Sequence, residues 1–277
     1  MHDTTLDAQE VQLRLLREKS PSERARLALR LTSDVVRAAR RSIGRTYPEF
    51  SERQVGLTFI ELHYGREIAR ALRDAGGGEV MDGESEIVSA MRPVVEKFVR
   101  LGVRHYVGGS IASSIHGAAR STLDVDVAAE LDEINALHLI DELQADYYVS
   151  RPAVLEAVRK RKCFNLIHQA TSFKVDVFVS QDREFDRSVQ SRAAIQQIGE
   201  TNPMSARVAT AEDVILLKLE WYRLAGETSQ RQWSDVSLVA RLQGERLDRE
   251  YLCRWAGDLG VADLLERLLA DVERDRI

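Results

Sequence analysis

The sequence predicts an α/β (α+β) protein, with a small mixed sheet between helical segments at the two ends of the chain. Apolar residues recur at helical spacing over residues 22–43 and again from residue 211 onward. Between residues 105 and 179, short runs with the spacing of strands are separated by short helical stretches. Strands interspersed with helices are typical of a mixed sheet, and the flanking segments are typical of helical modules.

The composition is that of an ordinary soluble globular protein. Of the 277 residues, 44 % are apolar and 30 % are charged, and the net charge is −5; these values exclude wholesale disorder and do not suggest bulk nucleic-acid coating. No apolar run approaches the roughly 18 residues that cross a bilayer, and the N-terminus lacks a secretory-signal pattern. The two cysteines, Cys163 and Cys253, cannot build a disulfide framework or a cysteine zinc site. We therefore expect a reduced, cytoplasmic protein without a membrane segment.

A glycine-rich stretch divides the chain. Four glycines fall between residues 76 and 85, which predicts a linker. Since 277 residues exceed what one hydrophobic core usually serves, we expect several modules. The predicted domains are an N-terminal helical module (1–75), the linker (76–85), a central core (86–205) and a C-terminal helical domain (206–277).

Local signals predict the elements of each domain. Ser20, Pro21 and Glu23 form a capping signature before a helix over 22–43, and a second helix is predicted over 51–75. The core is predicted to contain helices over 84–101, 111–116, 134–143 and 152–159 and strands over 105–108, 122–128, 147–149, 164–168 and 173–179. The C-terminal helices are predicted over 211–225, 228–243, 247–258 and 260–273.

The first predicted strand runs into Gly108 and Gly109, and Ser110 starts a short helix. Consecutive glycines let a backbone approach a ligand closely, and the free N–H groups at a helix N-terminus favour an anion such as phosphate. Ser110 can cap this helix or donate its hydroxyl hydrogen to the phosphate. The alternative is an ordinary tight turn between a strand and a helix.

Three aspartates are the candidate metal ligands. Asp124 and Asp126 are two residues apart on a predicted strand, so their side chains share one face at a spacing of about 6.5–7 Å. Repulsion and desolvation make such a pair costly unless a cation neutralises it, and Mg²⁺ is commonly held by one or two carboxylates together with substrate phosphates. Asp176 stands alone in the run 173–179 and joins the cluster if this strand neighbours 122–128. The alternative for Asp124 and Asp126 is an exposed edge strand, and the alternative for Asp176 is a purely structural role.

The pattern of Gly-Gly-Ser, thirteen intervening residues, Asp-x-Asp and a distant strand aspartate resembles that of the DNA polymerase β-like nucleotidyltransferase superfamily. The run from Arg120 to Asp126, which reads Arg-x-Thr-x-Asp-x-Asp, is similar to the form found in its AbiEii-like and small bacterial branch. Asp213 and Lys218 look like the Asp-x4-Lys motif that opens the C-terminal helical domain of those proteins. The resemblance covers roughly residues 95–245 and implies that the central sheet is a nucleotidyltransferase core.

The resemblance also implies roles for the site residues. Asp124, Asp126 and Asp176 would be catalytic and hold Mg²⁺ or Mn²⁺, with Asp176 helping to activate an acceptor hydroxyl. On the residues alone, Arg120 either contacts phosphate or pairs with a nearby acid, and Lys218 either contacts phosphate or extends from an apolar helix face toward solvent. The implied nucleotide-binding residues are Gly109, Ser110, Arg120, Thr122 and Lys218.

The predicted function is Mg²⁺-dependent transfer of a nucleoside monophosphate from an NTP to a hydroxyl, with release of pyrophosphate. The acceptor is RNA (such as a tRNA 3′ end), a protein side chain or a small molecule. The AbiEii-like pattern favours a toxin–antitoxin or defence setting with an antitoxin-type partner. A basic cluster at 159–162 would border the cleft, and bind RNA or triphosphate, if the strand 164–168 flanks the carboxylates. The alternatives are a nucleotide-sensing module without turnover and an interaction protein whose N-terminal helices bind a partner.

Overall fold

The computed structural model describes residues 6–75, 85–200 and 202–274 of the chain, so nearly all of the predicted linker lies outside the described residues. The helices are α1 (Leu6–Arg17), α2 (Pro21–Thr46), α3 (Glu52–Tyr64), α4 (Arg66–Ala75), α5 (Glu86–Arg100), α6 (Gly109–His116), α7 (Glu133–Leu143), α8 (Arg151–Lys160), α9 (Glu184–Arg192), α10 (Ala211–Leu224), α11 (Gln230–Gln243), α12 (Arg249–Asp258) and α13 (Ala262–Arg274), with a 3₁₀ turn at Gly244–Arg246. The strands are β1 (His105–Val107), β2 (Asp124–Ala129), β3 (Tyr147–Tyr148), β4 (Cys163–His168), β5 (Lys174–Val179), β6 (Ala194–Ile198) and β7 (Met204–Val208).

These strands form one mixed sheet. Within the described residues it has seven strands in the order β3-β4-β5-β2-β1-β7-β6. The β2–β5 and β1–β7 pairs are parallel, and the β1–β2, β3–β4, β4–β5 and β6–β7 pairs are antiparallel. Helices precede, interrupt and follow the strands along the chain. The predicted α/β class, a mixed sheet with helical segments on both ends, is confirmed.

Of the two predicted N-terminal helices, the first is present as one helix and the second is divided. The first corresponds to α2, which begins as expected: Ser20 accepts the backbone N–H of Glu23, and the Glu23 carboxylate accepts the N–H of Ser20, which completes a capping box. The predicted helix over 51–75, however, is interrupted at Gly65, whose φ of +96° is far from the helical value. This residue separates α3 from α4, so one predicted helix is two.

Four helices and strands, α1, α9, β6 and β7, have no counterpart among the predicted elements. Strand β6 lies at the edge of the sheet, reads Ala-Ile-Gln-Gln-Ile, and leaves the Ile195 side chain 70 % exposed. An edge strand of this composition has a weak alternation of apolar and polar positions, so the hydrophobic pattern does not mark it. Its antiparallel partner β7 also pairs with β1, and the two strands widen the sheet beyond the predicted one.

One hydrophobic core connects the helices of both ends to the sheet. Leu29 on α2, Val127 on β2 and Leu265 on α13 belong to the same cluster of buried residues. The N-terminal and C-terminal helices therefore pack on a core that is centred on the sheet and that holds the strands in place. The division of the chain into domains stays a prediction.

Two further sequence expectations can be compared with the fold. Every helix of the described residues is too short or too polar to span a bilayer. Cys163 and Cys253 are free, exposed thiols, as expected from their number and spacing.

Replacing Ser20 by alanine is expected to lower the free energy of unfolding by about 1 kcal/mol, because the N-cap hydroxyl satisfies the Glu23 amide in the first turn of α2. Ser150 provides the matched control: it is the N-cap residue of α8, but its side chain makes no capping hydrogen bond. Equilibrium urea unfolding of both variants measures the difference. Equal losses for Ser20→Ala and Ser150→Ala would contradict the capping interpretation.

Candidate active site

Strands β2 and β5 place the three predicted carboxylates side by side. The two strands run parallel, with Asp126 opposite Asp176 and Asp124 opposite Lys174. Residues in register on neighbouring strands point to the same side of a sheet. Asp176 therefore lies beside Asp126, on the face that also carries Asp124, and the strand adjacency that the predicted cluster requires is present.

The N-terminus of α6 lies directly against Asp126. Gly108 donates its backbone N–H to the Asp126 carbonyl oxygen at 2.9 Å, which joins the end of β1 to β2. Gly109, the first residue of α6, has a φ of +52°, and a Cβ atom on it would lie 1.6 Å from Asp126 Oδ2. A glycine is needed here because any side chain would displace the carboxylate and would be strained at this φ.

Asp126 is in an unfavourable position for a negative charge. Burial raises its pKa to about 7, and the charges of Asp124 and Asp176 add to the rise, while Lys218 and Lys174 oppose it. A proton or a cation beside Asp126 relieves both the desolvation and the repulsion.

Asp176 is engaged by other side chains. It is 8 % exposed, and its carboxylate accepts hydrogen bonds from Lys174 Nζ at 2.6 Å and from Asn165 Nδ2 at 2.5 Å, one on each oxygen. Lys174 lies on the same face of β5 as Asp176, as the alternation of the strand predicts. In the part of the chain that the structure describes, no group of three or more His, Cys, Asp or Glu side chains is assembled for a metal ion.

Thr122 orients Asp124. Its hydroxyl donates to Asp124 Oδ1 at 2.7 Å, and its backbone N–H donates to Thr32 Oγ1 of α2 at 3.1 Å. The side chain of Thr122 is buried. The sequence prediction grouped Thr122 with the nucleotide-binding residues, whereas in the structure its hydroxyl is bonded to a carboxylate.

A cleft with a volume of about 760 Å³ opens in front of Asp124 and Asp126, bordered by the sheet and by α10. Most of the predicted site residues line this cleft, but Asp176 and Thr122 do not. The predicted residues along its walls are Gly109, Ser110, Arg120, Asp124, Asp126 and Lys218.

Another wall of the cleft is aromatic and basic. Phe178 of β5 and Trp221 of α10 meet edge to face with ring centroids 5.9 Å apart, and Trp221 is 49 % exposed. Tryptophans on helices commonly pack in a core, whereas Trp221 is half exposed and lines the cleft. Arg161 and Lys162 line the same cleft, because β4 pairs with β5 and brings the basic cluster to the rim.

Asp235 forms ion pairs with two cationic side chains of the cleft, Arg120 and Lys218. It is 2 % exposed and accepts two hydrogen bonds from the Arg120 guanidinium, both at 2.9 Å, and one from Lys218 Nζ at 2.9 Å. Arg120 also donates to Ser110 Oγ at 2.5 Å. Arg120 therefore pairs with an acid while touching the first turn of α6, and Lys218 is a buried lysine in an ion pair rather than one that extends toward solvent.

Sequence reasoning missed the role of Asp235. The available signal was a carboxylate within the apolar stripe of α11, beside Val236 and Val239, where a buried charge needs a partner. Burial alone would raise the pKa of Asp235, but the hydrogen bonds from Arg120 and the charge of Lys218 outweigh burial, so the pKa lies below its usual value.

The donor set suits a hard cation. Asp124 and Asp126 both line the cleft, and Mg²⁺ is commonly bound by one or two carboxylates together with waters and substrate phosphates. Burial and the neighbouring charges of Asp124 and Asp176 raise the pKa of Asp126, and a bound cation would relieve both effects. These two residues therefore fit Mg²⁺ or Mn²⁺, and Asp176 would join them only after release from Lys174.

The chain matches no protein-family profile and no curated protein sequence. Among solved structures, the antibiotic-resistance factor ANT(2'')-Ia is similar with a TM-score of 0.42 and 9 % identity, over 65 % of this chain and 96 % of that one. An antigenic nucleotidyltransferase-like protein from Paracoccidioides brasiliensis has a TM-score of 0.39 and 13 % identity, over 67 % of this chain and 94 % of that one. A cytoplasmic RNA terminal U-transferase has a TM-score of 0.29 and 14 % identity, over 65 % of this chain and 55 % of that one. These likenesses are distant, and the functional argument depends on the residues of the site.

Gly109→Ala is expected to lower the free energy of unfolding by about 2 kcal/mol more than Gly108→Ala does, because its Cβ would collide with Asp126 Oδ2 in a tightly packed place. Gly108 is the matched control, since the nearest neighbour of a Cβ placed there is Tyr106 Cε2 at 3.7 Å. Urea unfolding of the two variants makes the comparison. A Gly109→Ala variant as stable as Gly108→Ala would show that the helix and the carboxylate are not in contact.

Asp235→Asn is expected to destabilise the protein by about 3 kcal/mol at pH 7, because it leaves Lys218 and the partly exposed Arg120 without their buried counter-charge. Since the folded-state pKa of Asp235 is depressed, its contribution is complete above the unfolded-state value of about 3.9 and is lost as the pH falls through the lower folded-state pKa.

Urea unfolding of wild type and Asp235→Asn between pH 3 and 8 checks this pH dependence. Asp263→Asn, at an exposed ion pair with Arg223, is the control and should change stability far less. A difference between wild type and Asp235→Asn that stays constant below pH 4 would contradict the ion-pair assignment.

Proposed function

We propose that the protein is a Mg²⁺-dependent nucleotidyltransferase, which transfers a nucleoside monophosphate from an NTP to a hydroxyl and releases pyrophosphate. The observation that carries the proposal is the contact of the α6 N-terminus, at Gly109, with the Asp126 carboxylate, beside Asp124. This contact joins a helix end that suits anions to a carboxylate pair that suits cations. A triphosphate with its bound cation needs both at one place.

The triphosphate would bind along α6. The unpaired N–H groups of its first turn and the Ser110 hydroxyl offer donors at the cleft surface. Lys218 has three N–H donors, of which Asp235 and Gln232 accept two. The third is available to a phosphate oxygen, and Arg120 adds a second positive charge beside Ser110.

Asp124 and Asp126 would hold Mg²⁺ or Mn²⁺, which when bound supplies positive charge against the carboxylates and the triphosphate. The chain contributes positioning: Thr122 orients Asp124, Gly109 leaves room beside Asp126, and Asp235 holds the cleft cations. Phosphoryl transfer depends chiefly on such positioning and on charge neutralisation.

The acceptor hydroxyl would approach along the wall of Phe178 and Trp221. An exposed ring suits stacking on a base, and the nearby Arg161 and Lys162 suit phosphates, so this wall favours an RNA end as acceptor. A protein side chain and a small molecule are the other acceptor classes. A toxin–antitoxin or defence setting and an antitoxin-type partner stay predictions from the sequence resemblance.

A nucleotide-sensing module without turnover is the second candidate. The observation that favours it is the engagement of Asp176 by Lys174 and Asn165, because a carboxylate held at both oxygens is not free to bind a metal or to activate a hydroxyl. Under this alternative the cleft binds an NTP with its cation and releases the nucleotide unchanged.

Incubation with Mg²⁺, total RNA, a small-molecule fraction of a bacterial lysate and each α-labelled NTP in turn is the test. We expect label on RNA, on the protein or on a small molecule, together with pyrophosphate, and we expect both to disappear in the Asp124→Asn/Asp126→Asn double variant, because the cation then loses its ligands. Gel electrophoresis and thin-layer chromatography separate the three acceptor classes.

Asp141→Asn is the control, since Asp141 is exposed on α7 and pairs with Arg151; it should transfer label like the wild type. NTP binding without label or pyrophosphate would favour the sensing module. A wild-type protein that neither binds an NTP nor transfers label would overturn both candidates.

A further inference from the structure

The N-terminal helices contact the chain segments that carry the candidate active site. Arg24 of α2 donates to the Ile115 carbonyl oxygen near the end of α6 at 2.6 Å. Arg40, also of α2, donates to the Thr171 carbonyl oxygen, shortly before β5, at 2.5 Å. These helices lie outside the segment that resembles nucleotidyltransferases, and the sequence assigns them no role in the site.

Tyr64, the last residue of α3, reaches the place where the two carboxylate strands begin. Its hydroxyl donates to the Leu123 carbonyl oxygen at 2.7 Å, one residue before Asp124. Lys174 Nζ lies 5.9 Å from the centroid of its ring. Asp124 and Lys174 are the first paired residues of β2 and β5, so Tyr64 contacts both strands at the start of their parallel pairing.

The Tyr64 hydroxyl lies close enough to the site carboxylates to feel the charges of Asp124 and Asp176. Burial raises the pKa of Tyr64, and the Asp124 and Asp176 carboxylates add to the rise, while the Lys174 backbone amide opposes it. The hydroxyl is therefore protonated at neutral pH and is able to donate to Leu123.

We propose that Tyr64 is a positioning residue of the nucleotidyl-transfer site, which fixes the start of β2 against the start of β5 and so sets the placement of Asp124 and Asp126 relative to Asp176. Tyr64 is not among the residues that line the cleft, so it acts through Leu123 and Lys174 and not on the substrate. The catalytic consequence rests on the proposed function, whereas the structural consequence does not.

The physical basis is the sensitivity of group transfer to small displacements. The Asp124 carboxylate is one residue from the carbonyl that Tyr64 holds, and Lys174, under the Tyr64 ring, is bonded to Asp176. A change at Tyr64 therefore reaches both carboxylate strands. A displacement of about 1 Å at a reacting group can lower a rate roughly 100-fold.

The test compares Tyr64→Phe with Tyr147→Phe. Tyr147 lies on the edge strand β3, is 1 % exposed, and donates its hydroxyl hydrogen to the Ala90 carbonyl oxygen at 2.7 Å. Each variant keeps the ring and loses one tyrosine hydroxyl that is bonded to a backbone carbonyl. The two differ in their distance from the carboxylate strands, so a merely structural role predicts similar behaviour.

For Tyr64→Phe we expect kcat to fall about 10- to 100-fold with KM for the NTP changed less than about twofold, because binding groups stay in place while reacting groups shift. Tyr147→Phe should leave both constants unchanged. Hydrogen–deuterium exchange of the protein alone should become faster over residues 122–128 and 174–179 in Tyr64→Phe and not in Tyr147→Phe. Thr32→Val, which removes the acceptor of the Thr122 N–H, should make exchange faster over residues 122–128 only.

Equal exchange changes in Tyr64→Phe and Tyr147→Phe, or a Tyr64→Phe effect confined to KM, would overturn the proposal. If the wild-type protein transfers no label, the proposed function fails by that result alone. The exchange comparison then still decides the role of Tyr64, since it needs neither nucleotide nor metal.

Discussion

Repulsion among three carboxylates on one face of the sheet is the constraint on which the rest of the site depends. Parallel pairing of β2 and β5 places Asp126 beside Asp176, and burial disfavours the charged form of Asp126. The chain relieves the repulsion unevenly: Lys174 neutralises Asp176, while Asp126 keeps a pKa near 7. Asp176 is therefore paired within the chain, whereas a proton or a cation beside Asp126 would relieve the burial and repulsion there.

The positive charges of the cleft are arranged by the same logic. Arg120 and Lys218 share the buried Asp235, which holds them at fixed places between α6 and α10. Arg161 and Lys162, at the rim, are exposed. The inner charges are thus preorganised by ion pairs. The outer ones lie exposed at the rim, where Arg161 donates to the Ser180 carbonyl oxygen at 2.8 Å.

Much of the fold and of the site's composition could be predicted from short-range patterns. The capping box of Ser20, the short helix after the two glycines and the alternation around Asp124 each depend on a few neighbouring residues. The alternation along β5 also places Lys174 on the face of Asp176. The hydrogen bond from Lys174 to Asp176 could not be predicted, because alternation gives the face on which a side chain lies and not its hydrogen-bond partner.

Contacts between residues far apart in the sequence could not be predicted either. Asp235 pairs with Arg120, which is more than a hundred positions away in the sequence. The Tyr64 hydroxyl of α3 donates to the Leu123 carbonyl oxygen just before β2. Strand β6 lacked an apolar alternation strong enough to mark it. Strand β7, which reads Met-Ser-Ala-Arg-Val, does alternate over its five residues, so the pattern that marks it was present and was missed. The roles of the predicted site residues and the domain division stay predictions.

The parallel β2–β5 pair also has a consequence for how the chain acquires its cleft. Fifty positions separate Asp126 from Asp176, and about a hundred separate the paired residues of β1 and β7; such non-local pairings form late in folding. The counter-charge on α11 follows further along the chain. During synthesis from the N-terminus, the carboxylate strands are complete before Lys218 and Asp235 exist, so the cleft lacks its inner ion pairs until synthesis has passed Asp235.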